Sequence, residues 1–297
     1  MDKGKSISLV LGSGGARGLA HIGVIRWLEE NDYQINSVSG SSIGALVGGI
    51  YAAGKLDEFE KWAKAIRRLD IVSLLDISWQ KSGLIKGEKL IENLVDLVGD
   101  QKIEDLSIPY TAVAVDIKKE KELWIRSGSL FDAIRSSISI PLFFTPFHNN
   151  GMDLIDGGVL NPVPIAPTFS DDTDMTIAVN LEGPVTKKKV QIEQHPIFPS
   201  SMNSFKERIS TLFRKFLGGS EGEQDDEWGV VDVAHRAFEA MQSTIARQKL
   251  AAYPPDHTIE IPRNVCTFLE FDRAAELIEL GYKKAEEHLK HDDENDG

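Results

Sequence analysis

The chain has 297 residues, 41% of them hydrophobic and 27% charged, an ordinary globular composition with length enough to bury one large α/β core. Lys and Arg total 33 against 46 Asp and Glu, a formal net charge of −13, which argues against nucleic acid as a partner because a phosphate backbone needs a basic face. A single cysteine, Cys266, excludes an intrachain disulfide and suits a reducing cytosol.

In chain order, residues 7–11 form a β-rich apolar run that ends in Gly12-Ser13-Gly14-Gly15. This start lacks the core of a signal peptide, and the longest weakly polar stretch, 43–54, is too short and glycine-rich to span a bilayer. A cytoplasmic protein is therefore expected. Leu19, Ile22, Ile25, Trp27 and Leu28 recur at helical spacing and predict a helix over about 17–30. A short strand over 35–39 follows, then a helix of small residues over 43–53. Surface helices are expected at 57–68 and 87–98, strands at 110–116 and 122–126, and a helix over 130–137 that stops before Pro141.

Residues 143–155 read as a hairpin turning at Asn149-Asn150-Gly151, and 175–181 as a buried strand. From about 183 to 227 the composition shifts to Pro, Ser and Gly with a Lys187-Lys188-Lys189 run and an acidic run over 221–227. A long, partly mobile excursion is expected there. A helix over 230–250, a strand over 258–261 and a helix over 272–290 close the chain, with a disordered tail expected over 291–297. Strands alternating with helices predict a three-layer α/β/α fold with a mainly parallel central sheet.

Three segments carry the chemistry. Gly40-Ser41-Ser42-Ile43-Gly44 is a G-x-S-x-G pattern between a predicted strand and a predicted helix. That context suits an exposed nucleophilic serine at a sharp turn, with a helix N-terminus behind it, although either serine could also be a simple helix cap. Gly12-Ser13-Gly14-Gly15-Ala16-Arg17-Gly18 also joins a strand to a helix. The spacing is not that of a dinucleotide fingerprint, since Arg17 takes the last glycine position, and it lacks the Gly-Lys-Ser/Thr of a P-loop. An oxyanion hole and a plain tight turn remain. Asp156 follows an apolar strand and precedes Gly157-Gly158. Such a carboxylate can meet a serine from across a sheet and serve as a general base, or cap a turn. Of the seven histidines, His21 lies in the first helix and most others look superficial.

Taken together, Gly14-Gly15-Ala16-Arg17-Gly18, Gly40 to Gly44, the block from Arg135 to Pro146, and Asp156-Gly157-Gly158 with Asn161 beyond it resemble the patatin-like phospholipases over roughly 7–182. The resemblance implies one patatin-like hydrolase domain over 1–297 with a lysophospholipase-like fold, and a serine esterase or lipid acyl hydrolase of phospholipase or lysophospholipase type. It implies a Ser42–Asp156 dyad in place of a triad, an oxyanion hole from the backbone N–H groups of Gly14 and Gly15 with Arg17 as a helper, an acyl-enzyme on Ser42, and neither metal nor cofactor. Ser13 stands where many relatives have a third glycine. An acyltransferase or thioesterase on the same dyad, or a regulatory interaction protein with weak turnover, are the alternatives.

A further pattern lies in the excursion. Phe205, Ile209, Leu212, Phe213, Phe216 and Leu217 share one helical face, with Lys206, Arg208, Arg214 and Lys215 on the other. Residues 204–217 are thus expected to form a basic amphipathic helix able to lie on an anionic inner-membrane surface, cover the site, form a dimer contact, or pack on the domain. The lipid or ester substrate is the one partner implied; oligomeric state has no signature in the chain.

Overall fold

The computed structural model describes residues 4–66, 85–186 and 230–293. The strands are β1 (Ser6–Leu11), β2 (Gln34–Ser41), β3 (Tyr110–Asp116), β4 (Lys121–Ile125), β5 (Phe147–Asn149), β6 (Met152–Asp156), β7 (Met175–Gly183) and β8 (His257–Pro262). The helices are α1 (Ala20–Glu30), α2 (Ile43–Ala52), α3 (Leu56–Ala65), α4 (Glu88–Val98), α5 (Leu130–Ser137), α6 (Val230–Ala252) and α7 (Ala274–Asp293).

The sheet runs β5-β6-β3-β2-β1-β7-β8, with β4 also paired to β3. Strands β8, β7, β1, β2 and β3 are mutually parallel, whereas β4, β6 and β5 join antiparallel. The expected parallel sheet is therefore a parallel core extended at one side by antiparallel strands.

The three layers follow from the alternation of side chains along a strand. On β1, Ile7, Leu9 and Leu11 join the large core under α1, α2 and α7, whereas Val10 joins a smaller cluster with Ala178, Val163, Ile165 and Ala246 of α6. A central strand flanked by helices on both faces must be apolar on both, and β1 is buried along nearly its whole length. On the larger face, α1 and α7 cross in near backbone contact: a Cβ at Gly23 would lie 1.8 Å from the Ile278 carbonyl oxygen, and one at Gly281 would lie 1.9 Å from that of Ala20.

One register detail positions everything that follows. Residues 110–113 of β3 pair with β2, and residues 114–116 pair with β6, while β4 covers 112–116. A strand has two edges, so β2 and β6 share one of them. They run in opposite directions and stop nose to nose: Ser41 lies opposite Val113, and Asp156 opposite Ala114.

Several sequence expectations change in detail. The first helix opens as a 3-10 turn over Gly15–Leu19 before α1 begins. The hairpin strands are shorter than expected; the turn has left-handed Asn150 and Gly151, as a type I′ hairpin turn requires. Phe143 and Phe144 instead meet Ile85, with the Ile85 N–H donating to the Phe143 carbonyl and Thr145 N–H to the Ile85 carbonyl. The tail is not wholly irregular, because α7 continues through Asp293. Gly183 ends β7. The basic amphipathic helix expected over 204–217 and most of the excursion lie outside the described residues. Among the described residues no helix is long and apolar enough to cross a membrane.

Candidate active site

Ser42 occupies the single residue between β2 and α2, with φ 56° and ψ −125°. A non-glycine residue in that region stores strain and persists only where its surroundings hold it. Here the hold is visible. A Cβ at Gly40 would lie 2.4 Å from the Gly44 carbonyl oxygen, and one at Gly44 would lie 2.1 Å from that of Leu11. Both glycines of G-x-S-x-G are thus needed for α2 to press against β1 and β2 at the turn. The Ser42 N–H donates to Ser137 Oγ at 2.9 Å, and that hydroxyl donates to the Val113 carbonyl at 2.6 Å.

Asp156 meets this turn from the opposing strand end. Its N–H donates to the Ser139 carbonyl at 3.0 Å, and its Oδ1 accepts from the Gly158 N–H at 2.7 Å. Its Oδ2 is buried without closing a bond of full hydrogen-bond geometry, and the Ser42 hydroxyl is the side chain that acts on the carboxylate. Burial pushes the Asp156 carboxyl up to about 7, against the opposing pull of the Ser42 hydroxyl and the Gly158 N–H. A carboxylate so placed can accept a proton near neutral pH.

The glycine loop faces the same place. The amides of Gly12, Ser13 and Ala16 donate to the carbonyls of Val179, Pro162 and Phe268. Among the described residues, the Gly14 and Gly15 N–H groups between them have no acceptor. Gly15 lies at φ 57°, a left-handed conformation that glycine adopts at little cost, and a Cβ there would sit 2.4 Å from the Phe268 ring. Two adjacent unused donors at a held turn are what an oxyanion requires.

Ser42 and Gly15 line one apolar cavity of about 110 Å³ with Leu46, Trp62, Leu90, Ile140 and Phe144. Arg17 lines a different, more polar cavity. Its guanidinium donates to Glu182 at 2.8 Å and to the Arg263 carbonyl at 2.9 Å, with Glu239 at 3.5 Å. Burial opposes its charge, but the two carboxylates raise its pKa on balance. The structure therefore gathers Ser42, Asp156, Gly14 and Gly15, and directs the head of Arg17 elsewhere.

His21 Nε2 donates to the Gly12 carbonyl at 2.9 Å, and burial lowers its pKa to about 4. The neutral ring bonding a carbonyl is a donor, so His21 supports the loop. No described hydrogen bond joins a histidine to Ser42 or Asp156, and among the described residues no cluster of three or more His, Cys, Asp or Glu side chains could hold a metal. Ser137 and the cavity walls carry no role in the sequence reading. The one available signal for Ser137 was the block from Arg135 to Pro146.

The fold and site define a three-layer α/β protein with a strained serine, a buried aspartate and a donor loop meeting at strand ends. A sequence profile described as patatin-like phospholipase matches residues 9–169. The chain belongs to the patatin-like phospholipase family, a family of lipid acyl hydrolases. Similar proteins include uncharacterized NTE family proteins of Mycobacterium tuberculosis and Mycobacterium bovis, each 38% identical over 328 residues, covering 96% of this chain and 91% of the relative. The neuropathy target esterase of Drosophila melanogaster is 33% identical over 194 residues, 58% of this chain and 14% of that protein. Among solved structures, VipD from Legionella pneumophila aligns over 96% of this chain and 66% of that one, at 16% identity and a TM-score of 0.48.

Proposed function

We infer that the chain is a lipid acyl hydrolase that works through a serine–aspartate dyad. The observation that carries this reading is the meeting of β2 and β6 on one edge of β3, which sets the buried Asp156 carboxylate against strained Ser42. Ser42 Oγ attacks the ester carbonyl while Asp156 takes its proton. The oxyanion that forms is held by the N–H groups of Gly14 and Gly15. The intermediate collapses with loss of the alcohol, which receives the proton from Asp156, and an acyl-enzyme remains on Ser42. Asp156 then draws a proton from water, whose oxygen attacks the acyl carbon, and the proton returns to Ser42 as the fatty acid leaves. The apolar cavity beside Ser42 suits the acyl chain.

Hydrolysis of p-nitrophenyl esters of graded chain length tests the reading. Wild type turns over, and Ser42→Ala loses at least about a thousandfold in kcat. A folded wild type inert toward every ester and toward a fluorophosphonate probe overturns it.

The reading extends to a cytoplasmic protein that reaches lipid through residues 204–217, supported by the helical spacing of the apolar and basic residues in that stretch of sequence. Binding to anionic liposomes should fall on deletion of residues 200–220 and weaken with salt. Binding that survives the deletion removes this part of the reading.

A further inference from the structure

We propose that Ser137 is a positioning residue for the nucleophile, and that the five residues Arg135 to Ser139 at the end of α5 form one brace holding both members of the dyad. The proposal rests on the dyad reading above and goes beyond it by naming what keeps the pair in register.

The brace is read from hydrogen bonds. Ser137 Oγ accepts from the Ser42 N–H at 2.9 Å and donates to the Val113 carbonyl at 2.6 Å. Val113 is the β3 residue opposite Ser41, so this one hydroxyl ties the turn to the strand edge on which the pair meets. Two residues on, the Ser139 carbonyl accepts from the Asp156 N–H at 3.0 Å. The Ser139 hydroxyl donates to the Arg135 carbonyl at 2.7 Å and accepts from the Arg135 guanidinium. That guanidinium also donates to the carbonyls of Lys86 and Thr145. Arg135, Ser137 and Ser139 are all buried. The side chains between and beyond them, Ile138 and Ile140, line the acyl cavity. The nucleophile, its base and the cavity wall therefore hang from a single turn of chain.

The physical need for Ser137 is specific. Ser42 holds a positive φ, and its amide, turned away from any helical or strand partner, is buried at this turn. Without an acceptor that donor is left unpaired and the strained turn loses a restraint. Both partners of the hydroxyl are backbone groups and Ser137 is not among the residues lining the cavity, so its removal should misplace Ser42 Oγ relative to Asp156 and the Gly14–Gly15 amides without changing the cavity wall. The loss should fall on kcat and spare KM.

The experiment compares wild type, Ser137→Ala and Ser137→Thr in p-nitrophenyl butyrate turnover and in the rate of fluorophosphonate labelling of Ser42, with thermal unfolding as the check on folding. Expected are a fall of roughly ten- to a hundredfold in kcat and labelling rate for Ser137→Ala, a KM within about twofold of wild type, and substantial recovery in Ser137→Thr, which restores the hydroxyl. If Ser137→Ala reacts as fast as wild type, or if the threonine is as slow as the alanine, the proposal is overturned while the dyad reading stands. If wild type itself neither turns over nor labels, the dyad reading fails and this one with it. Should Ser137→Ala lose its unfolding transition, Ser137→Cys, which keeps a side chain of similar size with a weaker acceptor, takes its place under the same two outcomes.

Discussion

At the scale of the residue, Asp156 carries two opposite consequences of one fact. Its carboxyl sits near 7 because burial disfavours its charge. On the proposed dyad Asp156 is the general base and must be ionised, so kcat/KM should rise with pH through about 7 and fall away in more acid solution, where an ordinary carboxylate would still be charged. For stability the sign is reversed. The folded pKa lies above the ordinary 3.8, so the unfolded chain releases this proton first as pH climbs, and stability drains between about 4 and 7. Asp156→Asn should thus cut turnover by at least about a hundredfold yet unfold no more easily than wild type above pH 7. Paired pH–rate profiles and denaturant curves at pH 5 and 8 check both halves. An asparagine variant that is inactive only because it is unstable contradicts the account.

Much of this residue chemistry is legible in the chain itself. Ser42 between strand and small-residue helix, and Asp156 at a strand end before two glycines, are local patterns that need no tertiary knowledge. What they cannot convey is that β2 and β6 end head-on, since that is a matter of register on a third strand, β3. The same limit hid Ser137, whose hydroxyl serves a residue 95 positions away.

At the scale of the element, Arg17 shows why a neighbour in sequence need not be a neighbour in function. It stands two residues after Gly15, and helping the oxyanion is the natural expectation from the loop alone. Its side chain instead crosses to Glu182 at the end of β7, to the Arg263 carbonyl after β8, and toward Glu239 on α6. Its partners lie 165 to 246 positions away, beyond any local reading. Arg17 in this view pins the donor loop to three elements. Arg17→Met takes the hydrogen-bonding cation from the buried Glu182 carboxylate, leaving it the charge of Arg263, and should cost up to about 3–5 kcal/mol, whereas Arg17→Met with Glu182→Leu should recover most of that. The double variant also separates bracing from direct catalysis. If the guanidinium only braces, ester turnover returns with stability; if it donates to the oxyanion, about 2.7–4 kcal/mol of transition-state stabilisation stays lost. Urea unfolding and kcat measured on the same preparations decide between them.

At the scale of the whole molecule, the site is an accident of no single segment. The donor loop follows β1, the serine follows β2, and the parallel neighbours deliver both to the same end of the sheet, where α/β proteins commonly bind ligands. The antiparallel extension then brings Asp156 back down onto that end. Helices α2, α3 and α4, the segment before the hairpin, and residues 268–271 wall the apolar cavity around Ser42. A cavity assembled from so many directions should read acyl length by burial. Each methylene taken from water contributes about 0.8 kcal/mol, or roughly fourfold in kcat/KM, until the space is full. Leu46 stands one helical turn beyond Ser42 on α2 and lines that space. Leu46→Trp should fill it, leaving p-nitrophenyl acetate within about threefold of wild type while flattening the gain per methylene, so that an ester four methylenes longer loses on the order of a hundredfold. An unchanged chain-length profile in a folded Leu46→Trp would mean that the acyl chain lies elsewhere, and that this cavity belongs to the core rather than to the reaction.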